Sequence, residues 1–145
     1  KNFGTLSPIP GFRDWFSYIE DVKMKNILGD IPTENISFLK SSDLKVGDPR
    51  IISNKVAITK LVAHYLMNEK NDKQLPVNDV CRFHLGNGAI IDDIIINANV
   101  SEVGFNRSFG VMVNYLYELK NIEKNHEEYI NKKTIIISDK LKKII

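Results

Sequence analysis

This sequence of 145 residues is poor in cysteine, and Cys81 is the only one. A single thiol cannot form a disulfide within the chain, which excludes a small disulfide-stabilised fold and suits a reducing compartment. Long apolar runs are lacking as well, because the longest one, at residues 89–96, is interrupted by Asp92 and Asp93. Such a run cannot span a bilayer, so we expect no membrane segment.

The sequence also lacks a large excess of charge of either sign. It has 20 Lys and Arg against 18 Asp and Glu, which gives a formal net charge of +2. Its lysine clusters lie among apolar and acidic residues, and no basic stripe with interleaved aromatic residues predicts nucleic-acid binding. Cys81 and His84 are three residues apart, but without a second pair of ligands we expect no metal site.

What the sequence has is the composition of an ordinary globular domain, with 43% hydrophobic and 26% charged residues. A chain of this length can bury about 68–70% of its unfolded surface, so a single core is feasible. The first residue is Lys1 rather than methionine, and residues 1–3 lead directly into a strand-like segment. We therefore expect a piece of a longer protein whose targeting signals lie elsewhere.

Hydrophobic periodicity predicts several helices in the first two thirds of the chain. Phe12 begins an i, i+3, i+4, i+7 pattern that predicts one helix ending near Gly29. A second amphipathic pattern predicts a helix over residues 54–69. Asn78 or Asp79 can cap a short further helix, which the glycines of residues 86–88 would end.

Runs rich in isoleucine and alternating apolar residues predict the strands. Short strands are expected at residues 3–6, 89–97 and 109–117, the last two pairing antiparallel across a loop at 101–108. The remaining expectations are a loop with one short helix at 30–54, a polar helix at 118–131, a strand-like segment at 134–138 and a short C-terminal helix. This order predicts an α/β layer fold with a mixed, largely antiparallel sheet flanked by helices.

Ser7 stands where the first strand ends and is followed directly by Pro8. A hydrolase nucleophile elbow takes part of its oxyanion hole from the amide of the next residue, and proline has no N–H. The glycines of such an elbow are missing too. Residue type alone therefore favours a structural serine whose hydroxyl is satisfied at a strand end.

His84 is the candidate among the three histidines, because it ends a predicted helix next to two glycines, where backbone can approach a ligand closely. Residue type alone still favours a structural histidine. His64 at the edge of a helix stripe and His126 on a polar helix are expected to be surface or packing residues. The segment around His84 fits neither a P-loop nor a dinucleotide fingerprint.

Three segments in this order change the interpretation: TLSPIPGFRDW at 5–15, FHLGNGA at 83–89 and SEVGFNRSFGVMVNYLYEL at 101–119. Together they closely resemble the catalytic domain of the malonyl-CoA decarboxylase family. The resemblance extends over the whole chain and is weaker between residues 25 and 77. It implies a GNAT acyltransferase-type domain that binds coenzyme A thioesters and converts malonyl-CoA to acetyl-CoA and CO₂, regulating malonyl-CoA levels in fatty acid metabolism.

The resemblance also implies the roles of individual residues. The serine of the SPIP string and the histidine of the FHL string are catalytic in the family, which here are Ser7 and His84. The tyrosine that ends the NYxY string lies at the active site, which here is Tyr117. The chain departs from the family pattern at Asp79 and Cys81, where proline and alanine are usual. It departs again at 95–96 and Asn99, where Asn-Trp and aspartate are usual.

The resemblance further implies that this chain is the C-terminal part of the catalytic domain. An N-terminal helical domain and the first part of the catalytic domain would precede it, including an acidic residue that orients the histidine. We therefore expect the isolated chain to be inactive. The helical domain would assemble the protein into a homo-oligomer.

A malonyl thioester that loses CO₂ leaves an enolate, which requires hydrogen-bond donors at the thioester oxygen and a proton for C2. We expect Ser7 to donate a hydrogen bond to the substrate carboxylate or enolate, His84 to protonate C2, and Tyr117 to be a second donor. No metal, covalent intermediate or separate cofactor is required, because coenzyme A enters as part of the substrate.

The turn after Ser7 is the predicted contact with coenzyme A. It leads into a helix whose N-terminal amides could bind the pyrophosphate, and Gly11 allows close approach of the backbone. The predicted contacts are Ile9, Gly11, Phe12 and Arg13, although Pro8 and Pro10 remove two amide donors.

Two other functions remain open at this stage. One is a GNAT-like acyl-CoA transferase or thioesterase, and the other is a non-catalytic acyl-CoA-binding fragment. We expect an intracellular protein, cytoplasmic or mitochondrial rather than peroxisomal, because the C-terminus at 143–145 is not an S-K-L address.

Overall fold

The computed structural model describes residues 2–145, and its centre is a small antiparallel sheet. The strands are β1 (Asn2–Ser7), β2 (Ile90–Ile95) and β3 (Met112–Glu118), in the spatial order β1-β3-β2. Ser7 and Ile94 both lie opposite Val113, and the register of β2 shifts by one residue between Ile91 and Asp93. The predicted antiparallel pairing of the second and third strands is confirmed.

Eight α-helices flank this sheet within residues 2–145. They are α1 (Phe12–Tyr18), α2 (Asp21–Leu28), α3 (Pro49–Ser53), α4 (Lys55–Asn68), α5 (Asp79–Gly86), α6 (Glu102–Ser108), α7 (Ile122–Lys132) and α8 (Asp139–Ile144). Two 3₁₀ segments occupy Thr33–Lys40 and Leu119–Asn121. The fold class is therefore the predicted α/β arrangement, and no described helix is long and apolar enough to cross a membrane.

The predicted helix from Phe12 to Gly29 is wrong as a single element, because the chain is extended at Ile19 and Glu20. Ile19 has ψ 135° and turns its side chain into the core, which separates α1 from α2. The periodicity misled because it was continued through Val22, whose side chain is 69% exposed. Met24 and Leu28 are the residues that α2 buries.

The predicted loop at 101–108 is also wrong, because it forms α6. Ser101 caps this helix, and its Oγ accepts a hydrogen bond from the Gly104 amide at 3.1 Å. Phe109 ends the helix in a left-handed conformation with φ 57°, so the third strand begins at Met112 instead of residue 109. The segment 134–138 makes one parallel bridge, between Ile137 and Ile91, instead of a full strand.

The core lies between the sheet and the helices, with α4 at its centre. Phe12 and Phe16 of α1 are buried, as predicted, and their rings contact Phe109 edge-on at 6.2 and 5.8 Å between centroids. The site described next lies where the end of β1, the last turn of α5 and the middle of β3 meet.

Candidate active site

Ser7 is the last residue of β1, and its hydroxyl meets the side chain of His84. Its Oγ lies 3.0 Å from Nε2 of His84, and both residues are buried. Alternation along the strand turns Ser7 to the same face of the sheet as its neighbours two residues away. The two residues that the family resemblance implies to be catalytic are therefore in contact.

His84 lies in the last turn of α5 and uses both of its ring nitrogens. Its Nδ1 lies 2.6 Å from the hydroxyl of Tyr117 on β3, so that serine, imidazole and phenol form one hydrogen-bonded row. The ring also stacks on Tyr115, with centroids 4.3 Å apart and planes 18° from parallel. Tyr115 and Tyr117 share one face of β3, and together they fix the position of the imidazole.

The protonation states in this row follow from burial. Burial lowers the pKa of His84 because an apolar surrounding disfavours the imidazolium. Burial raises the pKa of the Tyr117 phenol because it disfavours the phenolate. At neutral pH the row therefore consists of a neutral imidazole between two neutral hydroxyls.

Asn78 connects the segment after Ser7 to the helix of His84. Its Oδ1 accepts a hydrogen bond from the Cys81 amide at 2.9 Å and so caps α5, as the sequence predicts. Its Nδ2 donates to the carbonyl of Pro10, also at 2.9 Å. Sequence reasoning missed this second bond, for which a capping signal gives no indication. One buried amide thus ties together the two segments that carry Ser7 and His84.

The turn after α5 is held equally firmly. The carbonyl of His84 accepts hydrogen bonds from the amides of Asn87 and Ala89, each at 3.1 Å. From α7, the side-chain amide of Asn125 donates to the Gly88 carbonyl at 3.2 Å, and Nδ1 of His126 lies 2.6 Å from the Gly86 carbonyl. His126 is thus a packing residue, as expected. These bonds fix the backbone from which the His84 side chain projects.

Two exposed aromatic residues stand beside the row. The ring of Phe3 stacks on Tyr117 at 4.8 Å between centroids and 10° between planes, and it remains 53% exposed. Phe83 precedes His84, contacts its ring edge-on at 5.3 Å and is 64% exposed. Sequence reasoning assigned neither of them to the site.

Comparison with known proteins is decisive for the family. The family model of the malonyl-CoA decarboxylase C-terminal domain matches residues 1–145. The chain belongs to this family. A mitochondrial malonyl-CoA decarboxylase of Mus musculus is 30% identical over 161 aligned residues, which cover 99% of this chain and 32% of that protein. The one of Anser anser anser is 30% identical over 157 residues, with 96% and 31% covered.

Solved structures with the family name are similar throughout the chain. Malonyl-CoA decarboxylase from Rhodopseudomonas palustris matches with a TM-score of 0.81 and 30% identity, over 99% of this chain and 33% of that one. The one from Cupriavidus metallidurans matches with a TM-score of 0.79 and 29% identity, over 100% and 38%. The chain thus spans about a third of the length of the relatives it matches.

The four residues predicted to contact coenzyme A do not place their side chains in the row of Ser7, His84 and Tyr117. Ile9 and Phe12 are fully buried in the core, and the Phe12 amide donates to the Ile9 carbonyl at 3.3 Å. Gly11 has φ 90°, and a Cβ there would lie 2.9 Å from the Tyr65 hydroxyl. The Phe12 amide thus already has a partner within the turn, and the predicted contact of these amides with coenzyme A stays a prediction.

Arg13 is held in place by its own neighbours. Its Nη1 donates to the carbonyl of Phe105 at 3.2 Å, and its guanidinium carbon lies 4.8 Å from the ring centre of Phe109. Of the four predicted contacts, only Arg13 presents a charged group toward a surface cavity.

Cys81 does not complete a metal site with His84. Its thiol donates to the Leu66 carbonyl at a long 3.9 Å, and burial raises its pKa to about 12, so it remains protonated. Both nitrogens of His84 are already bonded to hydroxyls. Over residues 2–145 no group of three potential ligands occurs.

Proposed function

We propose that this chain carries the catalytic row of a malonyl-CoA decarboxylase, which converts malonyl-CoA to acetyl-CoA and CO₂. The observation that supports it best is the row Ser7, His84 and Tyr117, in a chain that the family model matches throughout. In this proposal the chain is the C-terminal part of a GNAT-type catalytic domain. A preceding helical domain forms the homo-oligomer, and the protein controls intracellular malonyl-CoA levels.

The direction of the hydrogen bonds gives Ser7 its role. In this proposal the phenol of Tyr117, which stays protonated, donates to Nδ1 of His84, and the neutral ring has its proton on Nε2. Nε2 then donates to the Ser7 oxygen, and the serine O–H is free to donate to the substrate. Ser7 thus acts as a hydrogen-bond donor to the thioester oxygen, on which negative charge develops.

Decarboxylation breaks the bond between C2 and the carboxylate carbon. The electron pair of that bond moves into the thioester as an enolate, and CO₂ leaves as a neutral molecule. C2 of the enolate then takes the proton held at Nε2 of His84. As that proton leaves, Tyr117 gives its own proton to Nδ1, so the ring remains neutral. Nε2 then takes up a proton from solvent while Nδ1 returns its proton to the phenolate, so the starting tautomer is restored and each turnover takes up one proton from solvent.

Pro8 is consistent with this role for Ser7. A nucleophilic serine would need the following amide as an oxyanion donor, and proline offers none. A serine that only donates a hydrogen bond needs a fixed position instead, and Pro8 supplies a fixed φ directly after it. The acyl transferase and thioesterase alternatives lack a comparable supporting observation.

Product analysis tests the proposal. The full-length protein that contains this sequence is incubated in deuterated water with malonyl-CoA labelled with ¹³C in its free carboxyl group. We expect one labelled CO₂ for each acetyl-CoA formed, with one deuterium on C2 of the acetyl group. Free coenzyme A without CO₂ would show a thioesterase or transferase instead.

The matched control is His84→Asn, which keeps a polar side chain but cannot move a proton between two ring nitrogens. This variant should release little CO₂ while still binding malonyl-CoA. If the unmodified protein binds malonyl-CoA without any turnover, the non-catalytic alternative is correct and the proposal is wrong.

A further inference from the structure

A surface cavity lies beside α1, separate from the row of Ser7, His84 and Tyr117. It has a volume of about 310 Å³ and is bordered by α1, by the end of the 3₁₀ segment Thr33–Lys40 and by Phe109. Its charged lining residues are Arg13 and Lys40. None of the described residues that line it is acidic.

Both cations are held by aromatic rings instead of carboxylates. The guanidinium carbon of Arg13 lies 4.8 Å from the ring centre of Phe109 and 5.2 Å from that of Phe105. Nζ of Lys40 lies 5.4 Å from the ring centre of Phe16. Such contacts orient a cation without neutralising its charge, because a ring presents only a quadrupole.

Some other cations of this chain are paired with carboxylates. Lys23, Arg50 and Lys140 each lie within 3.2 Å of a carboxylate oxygen. Within residues 2–145, neither Arg13 nor Lys40 has a carboxylate at salt-bridge distance. Arg13 also uses only one of its side-chain N–H groups in a hydrogen bond, which it donates to the Phe105 carbonyl. The cavity therefore contains two positive charges whose donors are available to a ligand.

Serine hydroxyls complete the lining. Ser17 donates to the Asp14 carbonyl at 2.6 Å, and Ser41 donates to the carboxylate of Asp43. Ser42 is exposed and lines the cavity as well. Its hydroxyl has no partner among the described residues, so it adds a neutral donor beside the two cations.

We propose that this cavity binds a phosphate or diphosphate group. A guanidinium fork matches two phosphate oxygens, and a lysine adds a point charge. Two positive charges match a dianionic phosphate better than they match a ligand with a single carboxylate. The phosphate could belong to the coenzyme A part of the substrate or to a separate phosphorylated ligand. Anion binding by the cavity does not depend on the proposed decarboxylation.

Inorganic pyrophosphate is the probe, titrated calorimetrically into the full-length protein that contains this sequence. Lys40→Met removes the charge and keeps an apolar stem over Phe16. The matched control is Lys45→Met, which removes an exposed charge from the same connection outside the cavity. We expect Lys40→Met to weaken pyrophosphate binding by about tenfold or more and Lys45→Met by less than about twofold.

Arg13→Lys is the second variant, since it preserves the charge but not the planar fork. It should weaken pyrophosphate binding as well, with circular dichroism unchanged. Absence of pyrophosphate binding, or binding that neither variant changes, would overturn the proposal. This result would leave the proposed decarboxylation intact, because that is judged by CO₂ release.

Competition identifies the source of the phosphate, and either result supports the cavity. If pyrophosphate raises the KM for malonyl-CoA and Lys40→Met raises it too, the cavity binds the phosphates of coenzyme A. If pyrophosphate binding depends on Lys40 but coenzyme A does not displace it, the ligand is a separate phosphorylated molecule. Lys40-dependent binding in a protein that releases no CO₂ would support the cavity and contradict only the proposed function.

Discussion

The hydroxyl of Ser7 lies 3.0 Å from Nε2 of His84, although 77 residues separate them along the chain. Neither side chain could reach the other without β3, which pairs with β1 and carries the tyrosines that contact the imidazole. The row is therefore a tertiary feature, and its geometry depends on residues outside Ser7 and His84. Those residues can be tested separately from Ser7 and His84.

In the full-length protein that contains this sequence, Ser7→Ala should remove the hydroxyl that we propose as the donor to the substrate. We expect kcat for CO₂ release to fall by about 10²–10³-fold, the usual effect of losing one oxyanion donor. The free energy of unfolding should fall by about 1–3 kcal/mol, because the buried Nε2 proton of His84 loses its acceptor while the bond to Tyr117 remains. The measurement is initial-rate CO₂ release, with Ser53→Ala as a control on an exposed serine of α3. An unchanged rate in Ser7→Ala would exclude Ser7 from the reaction.

The neutral state of buried His84 should make the folded protein sensitive to acid. Its folded pKa is lowered by burial, whereas the unfolded chain has the ordinary value near 6.5. Below that value the unfolded state binds more protons, so the free energy of unfolding decreases as the pH falls toward the lowered pKa. Above the unfolded pKa of about 6.5, this contribution to the free energy of unfolding is fully present.

Denaturant unfolding between pH 7.5 and pH 5 measures this effect. The unmodified protein should lose more stability over that range than His84→Asn, which has nothing to titrate at this position. Identical pH slopes for the two proteins would show that the pKa of His84 is the same in the folded and unfolded states, so that burial does not lower it.

Local patterns predicted the parts of the fold that local forces determine. The alternation in β3 and the cap and glycines of α5 gave these elements nearly correct bounds, because both signals act within a few residues. The break at Ile19 and the helix α6 were missed for the opposite reason. Ile19 leaves the helical conformation to fill the core, and α6 has only seven residues with a single serine cap.

The site itself could not be predicted from periodicity. Spacing says nothing about which strand end meets which helix across 77 residues, so the Ser7 and His84 contact came from the family resemblance alone. Phe12 shows what periodicity can predict. The pattern that predicted α1 implies that its side chain is buried, as the structure has it, while the contact of its backbone with coenzyme A stays a prediction.

Asn78 should be a positioning residue for this row. Asn78→Ala loses the cap of α5 and the bond to the Pro10 carbonyl, and we expect it to lower the free energy of unfolding by about 2 kcal/mol. Asn78→Asp keeps an acceptor for the Cys81 amide but sets a carboxylate against the Pro10 carbonyl. It should therefore reduce kcat more than its stability loss explains, with KM changed less.

Ser138→Ala is the matched control for Asn78, because Ser138 caps α8 away from the row, with its Oγ 3.2 Å from the Leu141 amide. It should lower stability by about 1 kcal/mol without lowering kcat. The comparison uses kcat from CO₂ release and unfolding free energies from urea titration. If Asn78→Asp and Ser138→Ala both leave kcat unchanged, Asn78 is a cap and nothing more.

Gly88→Ala should damage the turn that holds the backbone of His84. Gly88 has φ 91°, and a Cβ there would lie 2.5 Å from the carbonyl oxygen of Ile122, which belongs to the backbone of α7 and cannot move alone. Left-handed strain and overpacking together should cost about 3 kcal/mol or more. The activity should fall as well, because Ala89 in the same turn donates to the His84 carbonyl.

Gly29→Ala separates strain from collision in this experiment. Gly29 also has a positive φ, 61°, but no atom lies within 4 Å of the added Cβ. Its cost is therefore backbone strain alone, about 1–3 kcal/mol at φ 61° and ψ −118°, and CO₂ release should stay unchanged. Urea unfolding of both variants measures the difference. An equal loss of unfolding free energy in the two variants would mean that α7 moves away from the added methyl group. The hydrogen bonds of Asn125 and His126 would then not hold the turn after α5 rigidly.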